Sequence, residues 1–158
     1  MIKTRLEQAR EYGRVVHAGQ LDDLGRDYYK AHCEQVQAIL ALLGCSEDVQ
    51  IAGLLHDTIE DTGLTYRTLS EVVGGRIADI VFMCTHEGKK DQYGYYFPRL
   101  VPNDWETLDP IFRDAVMVKF ADRLSNLSRM EAWDDSRIAQ YLMRSVFWKT
   151  KRVKGSKP

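Results

Sequence analysis

The sequence predicts an all-α protein, a single compact bundle of about seven helices. Almost every apolar pattern repeats at helical spacing, and no segment alternates as a half-buried strand would. A length of 158 residues suits one domain. With 44% hydrophobic and 28% charged residues, the composition is that of an ordinary soluble domain with a normal core.

The first three helices are predicted in the N-terminal third of the chain. Two of them cover residues 4–18 and 28–43, and the second ends at Gly44. Its apolar stripe consists of Val36, Ile39, Leu40 and Leu43. Ser46 is a good N-cap for the third helix, which we expect to run without a break to Thr62.

Two shorter helices and one long loop follow. Thr65 caps the fourth helix, which ends at Gly74–Gly75, and residues 76–86 form the fifth. Residues 87–107 contain two prolines, two glycines and five aromatic residues. A loop of this length inside a compact domain is usually functional or disordered, and its aromatic content favours a functional role.

The C-terminal part is predicted to hold the last two helices and a tail. Asp109–Pro110 places an N-cap before a proline in the first turn, and the helix that begins there extends to about Trp133. Asp134 or Asp135 then caps the seventh helix. We expect one domain over residues 1–148 and a frayed basic tail over 149–158.

Charge and hydropathy limit the possible functions. The net charge is −1, but residues 149–158 hold five cations, which leaves 17 cations against 23 acids in the rest. This is not the basic footprint of a nucleic-acid-binding protein. No segment approaches the ~20 apolar residues of a membrane span, and the charged N-terminus differs from a signal peptide. We therefore expect a cytoplasmic protein, and reduced cysteines at Cys33, Cys45 and Cys84.

The densest group of titratable residues is the segment HDTIED at positions 56–61, directly after the apolar run IAGLL. On a helix it presents one imidazole and three carboxylates on adjoining faces. Burying these charges would cost several kcal/mol unless a cation compensated them. A divalent ion such as Mn²⁺, Fe²⁺, Co²⁺ or Zn²⁺ would compensate the charges. The alternative is an exposed helix end, where water solvates the carboxylates and no cation is needed. His32 and Asp122 lie in core-like surroundings, and they favour the metal.

The order His32, His56-Asp57, Asp122 resembles the H…HD…D metal signature of the HD phosphohydrolase superfamily. Four segments resemble, more narrowly, the hydrolase domain of Rel/SpoT proteins and the stand-alone small alarmone hydrolases. They are VVHAGQ, GRDYYKAH, AGLLHDTIEDT and VKFADRLSN, and together they span residues 15–127.

This resemblance implies the HD-domain fold over residues 1–148 and a manganese-dependent enzyme that removes the 3′-pyrophosphate from guanosine tetra- or pentaphosphate. The implied metal ligands are His32, His56, Asp57 and Asp122. The implied catalytic pair, which positions and activates the attacking water, is Glu60 and Asp61. Asn126 matches a position that contacts the nucleotide. Lys119 and Arg123, in the same helix, could bind the phosphates or be structural. Lys89 and Lys90, in the long loop, could bind the phosphates or equally be solvent-facing.

Asp22 and Asp23 depart from the family pattern, because they stand where relatives usually have a basic pair that holds the purine. Two acids there would accept hydrogen bonds from guanine or adenine, and aromatic residues of the long loop such as Tyr96 would stack on the base. We expect His17 in VVHAGQ to pack near the site rather than bind metal. The expected partner is a small purine nucleotide. The alternatives are an HD nucleotidase for ordinary nucleotides or another phosphorylated cofactor, and a non-catalytic nucleotide sensor.

Overall fold

The computed structural model describes residues 2–85 and 109–144, and it confirms the all-α prediction. The α-helices are α1 (Arg5–Val16), α2 (Glu34–Leu42), α3 (Glu47–Leu55), α4 (Thr58–Thr62), α5 (Tyr66–Val73), α6 (Gly75–Cys84), α7 (Pro110–Leu127) and α8 (Asp135–Arg144). Within these residues the strand-like pairing is one isolated bridge, Leu21 to Asp27. Several predictions fall outside the described residues: the aromatic loop at 87–107 with Lys89, Lys90 and Tyr96, and the basic tail at 149–158.

The helix predicted as continuous over residues 46–62 is instead two helices, because the backbone breaks directly after Leu55. Side chains take the carbonyl oxygens that an unbroken helix would use. The Nδ1 atom of His56 lies 2.9 Å from the Gly53 oxygen, and the Thr58 hydroxyl donates to the Leu55 oxygen over 2.7 Å. Such local side-chain bonds compete with the regular helical ladder. The apolar pattern of the segment carries no sign of this competition.

The long helix α7 ends earlier than predicted, at Leu127 rather than near Trp133. The hydroxyl of Ser128 donates to the Ser125 oxygen over 2.8 Å, so a side chain replaces one of the bonds that would extend the helix. A 3-10 turn, Met130–Ala132, follows before α8. The chain therefore reverses earlier and brings α8 back beside α7.

The predicted caps are largely confirmed. Thr65 and Asp109 accept backbone N–H groups at the starts of α5 and α7, and Asp134 does so at α8. Ser46 stands at the N-cap position of α3, but its side chain makes no capping hydrogen bond. Glu47 and Asp48 lie in the first turn of α3, where the helix dipole favours acidic side chains.

A π-helical turn, Tyr29–Cys33, leads directly into α2. The sequence predicts an ordinary helix over residues 28–43, because the apolar stripe behind that prediction begins at Val36, after this turn. The turn packs against α1 where Gly13 leaves room: a Cβ atom at that position would lie 2.3 Å from the ring of Tyr29. π turns inside helices often occur at functional sites, and this one carries His32.

The core is formed mainly by α2, α3, α6 and α7, and its central side chains are fully buried. Examples are Val36, Leu40, Leu54, Leu55, Ile80 and Val118. Cys33 and Cys84 belong to this core, Cys45 is half-buried, and none of these three described cysteines forms a disulfide. Of the helices that the structure describes, none combines the length and the apolarity that crossing a membrane requires.

Candidate active site

Four side chains from different elements meet in the middle of the bundle. His32 comes from the π turn, His56 and Asp57 from the break between α3 and α4, and Asp122 from α7. The Nε2 atoms of the two histidines are 3.2 Å apart. Asp57 Oδ2 lies 3.0 Å from His56 Nε2, and Asp122 Oδ1 lies 3.3 Å from His32 Nε2. Neighbouring side chains on a regular helix diverge, so the break allows His56 and Asp57 to face one centre.

Hydrogen bonds at Nδ1 fix the orientation of both imidazoles. The Gly53 carbonyl can only accept, so His56 Nδ1 carries a proton there. Ser125 donates its own hydroxyl proton to Gln35 over 2.8 Å, so it accepts from His32 Nδ1 at 2.9 Å. In the neutral form, both rings then direct the lone pair of Nε2 to the centre of the site. This is how proteins prepare histidines to bind metal.

The two carboxylates are charged and are held in place. Burial would raise the pKa of Asp57, but His56 and His32 outweigh it and hold that pKa well below its usual range. Burial also opposes charge on Asp122, where Lys119 and both imidazoles keep the pKa low. The Lys119 ammonium lies 3.0 Å from Asp122 Oδ2. The same carboxylates overcome the effect of burial on His56 and raise its pKa to about 10.

The donor set fits a divalent metal ion. His32, His56 and Asp57 each offer a ligand atom, and these atoms all lie within 4.8 Å of one another. Asp122 reaches both imidazoles as a fourth donor. Two ligands of one ion, each about 2.0–2.2 Å from it, stand about 3–3.5 Å apart in tetrahedral or octahedral geometry. The spacings among His32, His56 and Asp57, and from Asp122 to His32, are 3.0–3.4 Å and match this range, whereas Asp122 lies 3.8 Å from His56. Two imidazole nitrogens with two carboxylates suit Mn²⁺, Fe²⁺, Co²⁺ or Zn²⁺.

The predicted catalytic pair lies at the opening of this site. Glu60 and Asp61 are exposed on α4 and line the same cleft as the predicted ligands. Gln20 donates its amide to Asp61 Oδ2 over 3.1 Å and pairs with Nδ1 of His17 at 2.7 Å. His17 is buried between the rings of Tyr28 and Tyr29, so it packs near the site. Through Gln20 it supports Asp61.

The cleft has a volume of about 460 Å³ and a basic wall. Its cations come from α7, the turn after it and α8, and they are Lys119, Arg123, Arg129 and Arg137. Arg123 is buried, with its guanidinium 4.6 Å from the centre of the Tyr141 ring. Arg129 donates to Asn126 Oδ1 over 2.7 Å, and Asn126 donates in turn to Asp122 Oδ1 over 2.7 Å. The wall is thus tied to Asp122, a predicted metal ligand.

Asp22 and Asp23 both line the cleft, and both already bind groups of the chain itself. Asp22 accepts the backbone N–H of Arg26 over 2.9 Å and the Arg26 guanidinium over 2.9 Å. These bonds outweigh burial and lower the pKa of Asp22. Asp23 Oδ2 accepts from the indole of Trp133 over 2.6 Å and from Arg137 over 2.7 Å. Asp22 therefore stabilises the turn that leads to Arg26. Asp23 connects this turn to the N-terminal end of α8.

The structure brings most of the predicted residues to one cleft. The described ones that line it are His32, Asp57, Asp122, Glu60, Asp61, Asn126, Lys119, Arg123, Asp22 and Asp23, with His56 buried beneath. Sequence reasoning missed the residues that support them, namely Gln20, Tyr28, Gln35, Ser125, Arg129, Trp133 and Arg137. Tyr28, four positions before His32, and Arg129, three after Asn126, are close in sequence to predicted site residues. The roles of Gln20, Gln35, Ser125, Trp133 and Arg137 depend on contacts distant in sequence.

Known proteins resemble this chain both in sequence and in fold. A family profile described as HD domain matches residues 9–94. A probable GTP diphosphokinase of rice, RSH2, chloroplastic (Oryza sativa subsp. japonica), is 35% identical over 122 residues, 73% of this chain and 17% of the relative. The guanosine-3′,5′-bis(diphosphate) 3′-pyrophosphohydrolase of Aquifex aeolicus is 33% identical over 128 residues, 79% of this chain and 18% of that protein. The chain thus spans less than a fifth of the length of these curated relatives.

The fold also has a close counterpart among solved structures. That structure is described as a metazoan ortholog of SpoT that hydrolyzes ppGpp and plays a role in starvation responses. It matches with a TM-score of 0.76 over 93% of this chain and 84% of the other, at 21% sequence identity. The match confirms the helical architecture predicted from the sequence.

Proposed function

Since this chain belongs to the HD domain family, we propose that it is a metal-dependent hydrolase that removes the 3′-pyrophosphate from guanosine 3′,5′-bis(diphosphate) or a related purine alarmone. The observation that carries the proposal is the convergence of two imidazoles and two carboxylates in a cleft with a basic wall. The Aquifex aeolicus relative, named for this activity, supports it over 79% of the chain.

The residues that would hold the metal are His32, His56, Asp57 and Asp122, and the proposed ion is Mn²⁺. A divalent ion held there supplies Lewis acidity at a phosphoryl oxygen and makes water a better nucleophile near neutral pH. The motif resemblance favours manganese over the other metals that a mixed nitrogen and oxygen site accepts.

Glu60 is the proposed general base. Its carboxylate is exposed at the cleft, where water and substrate can reach it, and it can accept a proton from the attacking water. Asp61 orients the same water, and Gln20 holds Asp61 through the amide bond of 3.1 Å. The two acids follow the ligand Asp57 within one helical turn, and the N–H of Asp61 binds the Asp57 oxygen over 2.8 Å. The backbone of Asp61 is thus tied to that of Asp57.

The basic wall is the proposed phosphate site. Lys119, Arg123 and Arg129 can compensate the charge that develops on the phosphoryl oxygens. Asn126, predicted to contact the nucleotide, also links Arg129 to Asp122. A substrate phosphate bound by Arg129 would therefore be connected through Asn126 to Asp122, a proposed metal ligand.

We propose that the end of the cleft lined by Asp22 and Asp23, called the base end, binds the purine base and discriminates between substrates. Asp22 and Asp23 lie there with Trp133 and Arg137, and we propose that Asp23 acts mainly by holding Arg137 toward the cleft. The long-loop residues Lys89, Lys90 and Tyr96 remain predicted contributors to phosphate binding and base stacking.

Product analysis tests this function. Purified protein with Mn²⁺ is incubated with guanosine 3′,5′-bis(diphosphate), its adenosine counterpart or GTP, and products are followed by phosphorus NMR. The expected products from the guanosine substrate are GDP and pyrophosphate, with none formed by His56→Ala. Release of orthophosphate from GTP without any pyrophosphate from either bis(diphosphate) would overturn the proposal in favour of an ordinary nucleotidase. Tight nucleotide binding without turnover of any of the three would overturn it in favour of a sensor.

A further inference from the structure

Tyr28 makes a hydrogen bond that the proposed mechanism does not yet use. Its hydroxyl donates to Asp57 Oδ2 over 2.5 Å, and its side chain lines the cleft. The same oxygen of Asp57 faces both imidazoles, 3.0 Å from His56 Nε2 and 3.4 Å from His32 Nε2. A carboxylate oxygen has more than one lone-pair site, so a single atom of Asp57 can serve Tyr28 and a cation together.

Asp122 shows the same arrangement on the other side of the site. Its Oδ1 atom lies 3.3 Å from His32 Nε2 and accepts the amide of Asn126 over 2.7 Å. Each carboxylate therefore has the oxygen nearest the histidines fixed by one neutral donor of the chain. One donor lies immediately before the π turn and the other on α7, so the arrangement belongs to the site as a whole.

The position of the Tyr28 hydroxyl is itself well determined. The phenol ring lies 5.2 Å from the ring of His32 and 5.7 Å from that of His17, measured between ring centres. The backbone N–H of Tyr28 donates to the Gln20 oxygen over 3.0 Å, immediately before the π turn begins. A ring held on two sides and at its backbone has little freedom to move its hydroxyl away from Asp57.

We propose that Tyr28 is a positioning residue for the metal: its hydroxyl holds Asp57 Oδ2 toward the two histidines and so raises the affinity of the site for a divalent ion. This inference rests on the metal site of the proposed function, but it is independent of which nucleotide is hydrolysed. Loss of such a supporting hydrogen bond commonly weakens metal affinity or activity by about 10- to 100-fold.

The adjacent residue provides a matched control. Tyr29 is also buried, and among the described residues its hydroxyl has no hydrogen-bond partner. Tyr28→Phe and Tyr29→Phe each remove one hydroxyl and keep the ring, so they differ in the bond to Asp57. Mn²⁺ dissociation constants are measured for the full chain by competition with a chelator, without nucleotide, and the Tm of each metal-free protein is recorded.

We expect Tyr28→Phe to bind Mn²⁺ at least about tenfold more weakly than the unmodified protein, and Tyr29→Phe to remain within about twofold because it breaks no bond. Equal dissociation constants for the two variants would overturn the inference. If Tyr28→Phe does not fold, a fluorinated tyrosine at position 28 keeps the ring and changes the hydroxyl as a donor. The inference then requires that fluorinated tyrosine at position 28 change the Mn²⁺ affinity and that the same residue at position 29 leave it unchanged. Because nucleotide is absent, failure of the proposed hydrolysis leaves this result intact.

Discussion

Ser125 on α7 accepts the Nδ1 proton of His32, 93 positions earlier in the chain, with 2.9 Å between the two atoms. The Ser125 hydroxyl in turn donates to Gln35, so its direction is set. This pair joins the π turn to the long helix and keeps the Nε2 lone pair of His32 directed at the other ligands. The tautomer of His32, a proposed metal ligand, thus depends on a residue with no part in the proposed chemistry.

Ser125→Ala should therefore weaken metal binding by about 10-fold or more. It should also lower the free energy of unfolding by about 1–3 kcal/mol, because the Nδ1 proton of a buried histidine loses its acceptor. Metal competition and chemical denaturation measure the two effects. Ser70→Ala on the distant helix α5 is the control. Full metal affinity in Ser125→Ala would show that another group can fix the ring.

Glu60→Gln separates binding from chemistry. The variant should keep the metal and bind substrate, while kcat falls by roughly 10²-fold or more, the usual scale for losing a general base. Steady-state kinetics and metal analysis of the same preparation give both quantities. Glu71→Gln, an exposed glutamate on α5, should behave like the unmodified protein. Unchanged kcat in Glu60→Gln would assign the proton transfer to Asp61 or another group.

Asp23→Ala tests the base end of the cleft. The change frees Trp133 and Arg137, so KM for the nucleotide should rise while metal content stays at its full value. The Asp23–Arg137 pair is half exposed, so the expected effect is about 1 kcal/mol, or roughly fivefold in KM. Asp135→Ala on α8 is the control. A fall in metal content with no change in KM would show that Asp23 supports the metal site instead.

A charge reversal at the same place tests discrimination between bases. Replacing both Asp22 and Asp23 with Lys or Arg should change the ratio of kcat/KM for guanine and adenine substrates. The expected change corresponds to about 1–3 kcal/mol, the scale of one base-edge contact. Since Asp22 also organises the turn through Arg26, Tm is measured beside kcat/KM. An unchanged ratio in a variant that folds normally would place base recognition elsewhere.

The helices could be predicted from the sequence because their signals are local, and the candidate metal cluster of His32, His56 and Asp57 was predicted from the order of the motifs. Apolar spacing and caps locate the helices, and adjacent His56-Asp57 needs no tertiary information. The break after Leu55 could not be predicted, since side-chain bonds to the backbone accompany it and leave the hydrophobic pattern unchanged. The π turn at His32 could not be predicted either, because it precedes the apolar stripe of α2. The partners of Asp23 could not be found either, because Trp133 and Arg137 lie 110 and 114 positions away.

The most direct test of the account follows the rate of pyrophosphate release and the metal content together. Metal-free protein is loaded with Mn²⁺ in steps, and both quantities are measured at each step with guanosine 3′,5′-bis(diphosphate) as substrate. We predict that the rate rises in proportion to occupancy, reaches its maximum near one ion per chain, and is lost in His56→Ala and Asp122→Ala. Pyrophosphate release at full rate from protein that contains no metal would contradict the account.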